Sequence, residues 1–485
     1  MGRTVKFRVR RAARTRRYTQ TVVVAIGSCS ILAAVAAAPG ALPPVRAESA
    51  VAAVVVSQDE LDEGDSSGSA SSSGSGTEAE RTTAPARLEV AESGRHFIRD
   101  GEPFFWMGDT AWAMLGKLGE DEIGNYLDTR QDQGFNVIQT VAIFPQAGAE
   151  TPGSDVSAAA ESTEFWDNVE FAIDAAAERD MYLAIHPVWG DKQTGSVVSE
   201  DNAREYGEFL GGRFGDKDNV TWTLGGDHPA DGEETLWTDL AEGLEEAGGT
   251  QLKTYHPRGD QTSATWFADS EWLDFNMIQG GHCLRYDVRA DLVDSTYDAD
   301  PVKPFLDGEP IYEEHPYCWE PEQGFSTALD VRRDAYWSVL GGAAGHTYGH
   351  HAVWQFNDGG DGELGARGSW SEALEFPAAG QMQHLRELIE SLPFTRGEPD
   401  QSVLGSEPGS GAERIVANVA TDSSYLLVYT PAGQDFSVDT SVVTGNPEAY
   451  WFDPRTGEFD ATKVATTYSP PTSDEDWLLL VEDPA

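Results

Sequence analysis

From residue 88 onward, apolar positions fall into short continuous runs separated by stretches in which they recur every three or four residues. The short runs predict buried strands and the recurring ones amphipathic helices. A hairpin is predicted at residues 88–90 and 96–99. Eight strands follow, at 104–108, 136–143, 181–187, 220–225, 252–256, 275–279, 304–307 and 346–354. Helical spacing appears between most of them, in Ile123, Tyr126, Leu127 and Arg130, in Phe165, Val169, Ile173 and Ala176, and in Tyr206, Phe209 and Phe214. It returns in Trp237, Leu240 and Leu244, in Tyr336, Val339 and Leu340, and in Met382, Leu385, Ile389 and Leu392. Little helix is legible after the fifth and sixth strands. Strands alternating with crossover helices, and no glycine-rich nucleotide loop after the first, predict an α/β fold of the closed (β/α)8 TIM-barrel type.

Past Pro393 the period shortens to an alternation at 414–420, 424–430, 436–438, 448–452 and 477–481, with a turn at Asp453-Pro-Arg-Thr-Gly457. That pattern predicts a small all-β sandwich. Ahead of the barrel, eight basic residues from Arg3 to Arg17 precede an apolar run from Thr21 to Ala38, so residues 1–47 are predicted as an export signal. Arg16-Arg17 points to the twin-arginine route, and so to a secreted or cell-surface protein. The competing reading is an uncleaved N-terminal membrane anchor. Residues 48–86, dominated by Ser, Gly, Asp and Glu, cannot bury enough apolar surface to order themselves and are predicted to be a disordered linker. The organisation is thus 1–47, 48–86, a barrel over 87–395 and a β module over 396–485.

A formal net charge of -49, with only seven lysines, would cause strong self-repulsion in dilute buffer. Near 1 M salt the screening length shrinks to about 3 Å, so the acidity predicts adaptation to a saline medium. No basic face exists to neutralise phosphates, which excludes nucleic acid as a partner.

Function in a barrel sits where strands end on their C-terminal side. Asp227 closes the run Thr221-Trp-Thr-Leu-Gly-Gly-Asp227 after the fourth strand, and Glu309 lies in Phe305-Leu-Asp-Gly-Glu-Pro310 after the seventh. Two carboxylates facing each other across a rim are the apparatus of glycoside hydrolysis, with Asp227 as general acid/base and Glu309 as nucleophile. Other strand ends offer polar and aromatic groups for a hydroxyl-rich ligand: Asp109 and Trp112, His186 and Trp189, His256, Gln279 and His282, and His350 and Trp354. Each has a bland alternative, the core for a Trp, a helix cap for Asp227 and a surface turn for Glu309.

The runs Phe105-Trp-Met-Gly-Asp-Thr-Ala-Trp112, Trp222-Thr-Leu-Gly-Gly-Asp227, Phe305-Leu-Asp-Gly-Glu-Pro310 and Gly345-His-Thr-Tyr-Gly-His350 resemble the apiosidase-like glycoside hydrolase family over about residues 88–395. The resemblance implies a (β/α)8 barrel with an acid/base at Asp227 and a nucleophile at Glu309. The segment Trp451-Phe-Asp-Pro-Arg-Thr-Gly457 is similar to the module named for collagen binding that commonly follows such barrels. The chain departs from the family in carrying His350-His351 ahead of Trp354-Gln355.

Cys283 and Cys318 follow strands six and seven, whose rim loops are neighbours in a barrel, so they are candidates for a disulfide. The histidines are scattered, and neither a metal nor a cofactor is expected. The leading function is an exported, salt-adapted glycoside hydrolase acting on poly- or oligosaccharide, with a two-carboxylate mechanism expected to retain anomeric configuration. The alternatives are a non-catalytic carbohydrate-binding protein and a metal-assisted hydrolase on the same barrel. Oligomeric state, sugar and linkage are not legible.

Overall fold

The computed structural model describes residues 85–484 apart from 153–158, 196 and 361 and the side chains of 192 and 193. The segment predicted as an export signal and nearly all of the predicted linker lie outside the described residues. Short strands β1 (Glu89–Val90), β2 (Phe97–Arg99) and β3 (Glu102–Phe104) form an antiparallel sheet, one strand more than the predicted hairpin. Its Phe97 and Phe104 pack with Trp106, Tyr182, Phe275 and Met277, so the sheet plugs the end of the barrel at which the parallel strands begin.

Eight parallel strands follow: β4 (Trp106–Thr110), β5 (Val137–Ile143), β6 (Tyr182–Val188), β7 (Val220–Gly225), β8 (Lys253–His256), β10 (Asn276–Gln279), β11 (Phe305–Asp307) and β12 (Gly345–Tyr348). The order is β8-β7-β6-β5-β4-β12-β11-β10, with the two-residue β9 (Gln261–Thr262) antiparallel on β10. Every residue of the eight parallel strands is buried, as expected of strands covered on both faces. The seam between β8 and β10 has no ladder of its own. It is closed by Asp274 N–H donating to the Lys253 carbonyl (2.9 Å), Lys253 N–H to Asp274 Oδ2 (2.7 Å) and Thr254 Oγ1 to the Phe275 carbonyl (2.6 Å). A predicted eight-strand barrel is therefore observed, completed at one joint by one backbone bond and two side-chain bonds.

Outside it run helices Glu120–Asp132, Thr163–Ala177, Ala203–Phe214, Glu234–Glu246, Tyr286–Tyr297, Ala328–Leu340 and Pro377–Glu390. Two further findings differ from the sequence reading. A twelve-residue helix, Tyr286–Tyr297, does follow the sixth strand. The eighth strand stops at Tyr348 instead of running to 354.

The remaining residues form a six-stranded antiparallel sheet, β13 (Gly397–Pro399), β14 (Val416–Ala420), β15 (Tyr425–Thr430), β20 (Trp477–Glu482), β17 (Glu448–Phe452) and β18 (Phe459–Thr462) in that spatial order. A two-stranded ribbon, β16 (Phe436–Ser437) with β19 (Thr467–Tyr468), covers one face around Trp451, Trp477 and Leu479. The other face meets helix Ala328–Leu340. There Arg332 makes a buried bidentate pair with Asp476 (2.9 and 2.6 Å), and Tyr336 stacks on Tyr429 with ring centroids 4.7 Å apart.

Candidate active site

β7 ends in a turn through Gly225 (φ 80°), Gly226 (φ 113°) and Asp227 (φ 50°). A Cβ at Gly226 would stand 2.7 Å from the Trp189 ring, so only glycine lets the chain double back this close to the cavity wall. Asp227, left-handed without being glycine, is the kind of backbone outlier that clusters at functional sites. The turn leaves its carboxylate partly accessible, with Oδ1 accepting from Gln279 Nε2 at 2.7 Å.

Glu309 lies two residues beyond β11 and is 4 % exposed. Its Oε1 faces His282 Nε2 and its Oε2 faces His256 Nε2, each at 3.0 Å. His256, the last residue of β8, turns Nδ1 toward the Pro257 carbonyl at 2.9 Å, while the Asp227 amide approaches that nitrogen only at 3.4 Å. Nε2 stands at ion-pair distance from Glu309 Oε2 without hydrogen-bond geometry, and Nδ1 has the carbonyl as its partner. Burial alone would lower the pKa of His256, but Glu309 outweighs that and raises it.

The two carboxylates are pushed in opposite directions. Burial, with the negative charge of Glu309 second, raises Asp227 to about 6. Burial would also raise Glu309, but His256 and His282 overcome it and hold the carboxyl well below the usual range. Each of Asp227, His256 and Glu309 places a ligand atom within 4.8 Å of the others. Among the described residues this group is the one that could hold a metal ion, and the same distances suit a proton-donating and nucleophilic pair.

Around this pair stand Trp112, Phe144, Trp189, Tyr312, His315 and Trp354. Trp112 donates to the Tyr312 hydroxyl at 3.0 Å and packs edge-on to His186 and close to Trp189, with centroids 5.0 and 4.9 Å away. His186 is fully buried as the floor beneath His256, and neither of its ring nitrogens has a protein partner. Trp354 is oriented by donating to His351 Nδ1 at 3.2 Å. The structure thus gathers Asp227, Glu309, Trp112, His186, Trp189, His256, Gln279, His282 and Trp354 at one rim.

Two expected residues lie elsewhere. Asp109 points outward from β4 to the helix side, where it accepts from Arg130 Nε at 2.6 Å and from the Tyr126 hydroxyl in a fully buried cluster. Strand alternation explains this, because Trp106 and Thr347 meet inside the barrel and put the odd position of β4 outside. His350 turns away from the cavity onto Phe376, 4.7 Å between centroids, and its Nδ1 accepts from the Ala352 amide.

Sequence reasoning did not single out Tyr312, His315, Phe144 or Trp319. Three of them fall in Ile311-Tyr-Glu-Glu-His-Pro-Tyr-Cys-Trp319, whose density of rings just past a strand end was the available signal. Tyr312 lies against Glu309, and burial, with that carboxylate second, raises its hydroxyl. His315 stacks on His282 at 4.1 Å, and burial holds it neutral. Cys283 and Cys318 are joined in a disulfide, which ties the His282 loop to the Trp319 loop.

Comparison with known proteins bears directly on this arrangement. The profile "Apiosidase-like, catalytic domain" matches residues 91–396, and "Putative collagen-binding domain of a collagenase" matches 399–482. A search of curated protein sequences returns no match. A solved structure described as a glycoside hydrolase is 32 % identical, with a TM-score of 0.75 over 82 % of this chain and 97 % of its own. A glycoside hydrolase family 5 structure from Bacteroides vulgatus is also 32 % identical, with a TM-score of 0.77 over 83 % and 96 %. A third structure, from the same organism, is 15 % identical with a TM-score of 0.59 and shares the fold. Profile, fold and relatives agree: the chain belongs to the apiosidase-like family and is a glycoside hydrolase.

Proposed function

We propose that the protein cleaves glycosidic bonds with retention of anomeric configuration, Asp227 acting as acid/base and Glu309 as nucleophile. The observation that carries this reading is the closeness of the two carboxylates, within 4.8 Å through their nearer oxygens, combined with their opposed pKa shifts. Retaining enzymes hold the pair about 5–5.5 Å apart, whereas inverting ones leave about 6.5–9.5 Å for a water.

In the first step Glu309 attacks the anomeric carbon, the bond from that carbon to the leaving oxygen breaks, and Asp227 transfers its proton to that oxygen. In the second, Asp227 takes a proton from water as the water oxygen attacks the same carbon, and the ester to Glu309 breaks to restore the carboxylate. His256 and His282 keep Glu309 ionised for attack. Gln279 orients Asp227. The aromatic walls suit the C–H faces of a sugar.

The substrate in this reading is a poly- or oligosaccharide, and apiose-bearing glycans head the screen because of the family. Export by the twin-arginine route in folded form and work at high salt complete the reading. Arg16-Arg17 ahead of an apolar run supports the first, and the net charge of -49 the second. A screen of glycosides and pectin fragments at molar salt, with the first-formed anomer followed by proton NMR, tests the proposal. Retained product, abolished by Glu309→Gln and Asp227→Asn, is expected. The metal-assisted reading, which the Asp227, His256 and Glu309 grouping favours, predicts instead that a chelator abolishes turnover.

A further inference from the structure

We infer that Trp319, clamped by the Cys283–Cys318 disulfide, is the stacking platform for the sugar on the leaving-group side of the cleaved bond, and so makes a glycan leaving group preferred over a small one. The inference rests on the hydrolase reading above and names the part of the site that selects among its substrates.

Two cavities meet at Asp227, His282 and Trp319. The first also contains Glu309 and the aromatic walls, so it must hold the sugar that is attacked. The second lacks Glu309 but keeps Asp227, the proton donor, and is lined by Asp191, Arg258, Asp260, Gln279 and Arg285. A space that touches the acid and not the nucleophile is where the departing group lies. Its charged and amide lining provides donors and acceptors for a hydroxyl-rich group, leaving a flat apolar surface as the missing component of a sugar subsite.

Trp319 supplies that surface. It is 49 % exposed, unlike Trp112, Trp189 and Trp354, which are nearly buried. An indole left half open to solvent at a pocket junction is not accounted for by core packing. It is nevertheless firmly held. Cys318 and Trp319 both adopt left-handed backbone conformations (φ 52° and 62°), uncommon for non-glycine residues in succession. The Cys318 amide donates to the His282 carbonyl at 2.9 Å, and the disulfide joins the same two loops one residue further on. The indole packs at nearly right angles to His282 and His315, with centroids 5.7 and 5.9 Å away. A platform fixed in place before binding loses little side-chain entropy when a sugar ring settles on it.

The experiment compares an oligosaccharide that the enzyme cleaves with the glycosyl fluoride of the same sugar, whose leaving group has no surface to stack. The readout is the ratio of the two kcat/KM values. Trp319→Ala should lower that ratio by at least about tenfold, with the loss carried mainly by KM for the oligosaccharide, and Trp319→Phe should restore most of it. Reduction of the disulfide with dithiothreitol should lower the ratio in the same sense. An unchanged ratio in Trp319→Ala, whether both substrates are unaffected or both lose equally, overturns the platform. An unchanged ratio after confirmed reduction overturns the clamp. If the unaltered protein turns over neither a fluoride nor a glycan, the hydrolase reading fails instead.

Discussion

Replacing Glu309 with Gln should lower the pKa of Asp227, and the geometry sets the size of the change. The nearer oxygens of the two carboxylates lie within 4.8 Å of each other, and a charge at that outer distance, with an effective dielectric constant of about 20, raises a neighbouring carboxyl by about 3.5 kcal/mol, or roughly 2.5 pKa units. Asp227 sits at about 6, so this repulsion is large enough to matter beside burial, which is the greater cause. Removing the charge also weakens the protonated state of His256, which acts on Asp227 in the opposite sense. The net expectation is a fall of about one unit, toward 5. The variant keeps the shape of the site, because Gln can still accept from His282. The assay is a carbon-13 NMR titration of labelled aspartates, with Asp227 assigned by its absence in Asp227→Asn. Asparagine tolerates the left-handed backbone at this position, so that control should fold. Esterification of Glu309 removes the same charge during turnover, so the same fall would convert Asp227 from an acid to a base between the two steps. An unchanged or raised pKa in Glu309→Gln refutes this coupling.

Other expectations follow from particular contacts. In the unaltered enzyme kcat/KM should decline above about pH 6 as Asp227 loses its proton, while His282→Ala should move the acidic limb upward by about one unit or more, because Glu309 loses a group that keeps it ionised. A pH–rate profile measures both, and an unmoved acidic limb contradicts the role given to His282. Arg130→Met strands the fully buried Asp109 carboxylate and should cost about 3–5 kcal/mol in chemical denaturation, whereas a loss under 1 kcal/mol means that Asp109 is not held as a paired charge. Thermal stability should rise steeply from low salt to molar salt as the charge of -49 is screened, and a flat or falling curve contradicts the saline reading.

The parts of the fold that were legible are those whose burial is continuous. β7 (Val220–Gly225) lies where six buried residues stand between turn signals, and Asp227 follows at the rim for the same reason. Helix Tyr286–Tyr297 escaped detection because its buried face is Arg289, Leu292, Val293 and Thr296. Arg289 is there to grip the carbonyls of Gly280, Gly281 and Cys283 and the Asp334 carboxylate, so a polar residue occupies an apolar slot. The predicted eighth strand runs past Tyr348 only because Val353 and Trp354 are strand-forming types, while Gly349, His350, His351 and Ala352 ahead of them are not. In the fold the chain bends at Gly349, where a Cβ would stand 2.2 Å from Tyr312. Asp109 was misplaced by one step of strand alternation, which an end-of-strand rule does not resolve. Tyr312, His315 and Trp319 sit in irregular backbone held by the disulfide and by His282, and no periodicity marks such positions.

The central claim, that Glu309 bonds to the sugar while Asp227 moves the proton, is tested most directly by a 2-deoxy-2-fluoro glycosyl fluoride of an accepted sugar, followed by peptide mass spectrometry. Slowing the second step more than the first should trap one sugar per chain on the peptide containing Glu309, with no label in Glu309→Gln. A label on any other residue, or steady hydrolysis with no trapped species and an inverted product, contradicts the account.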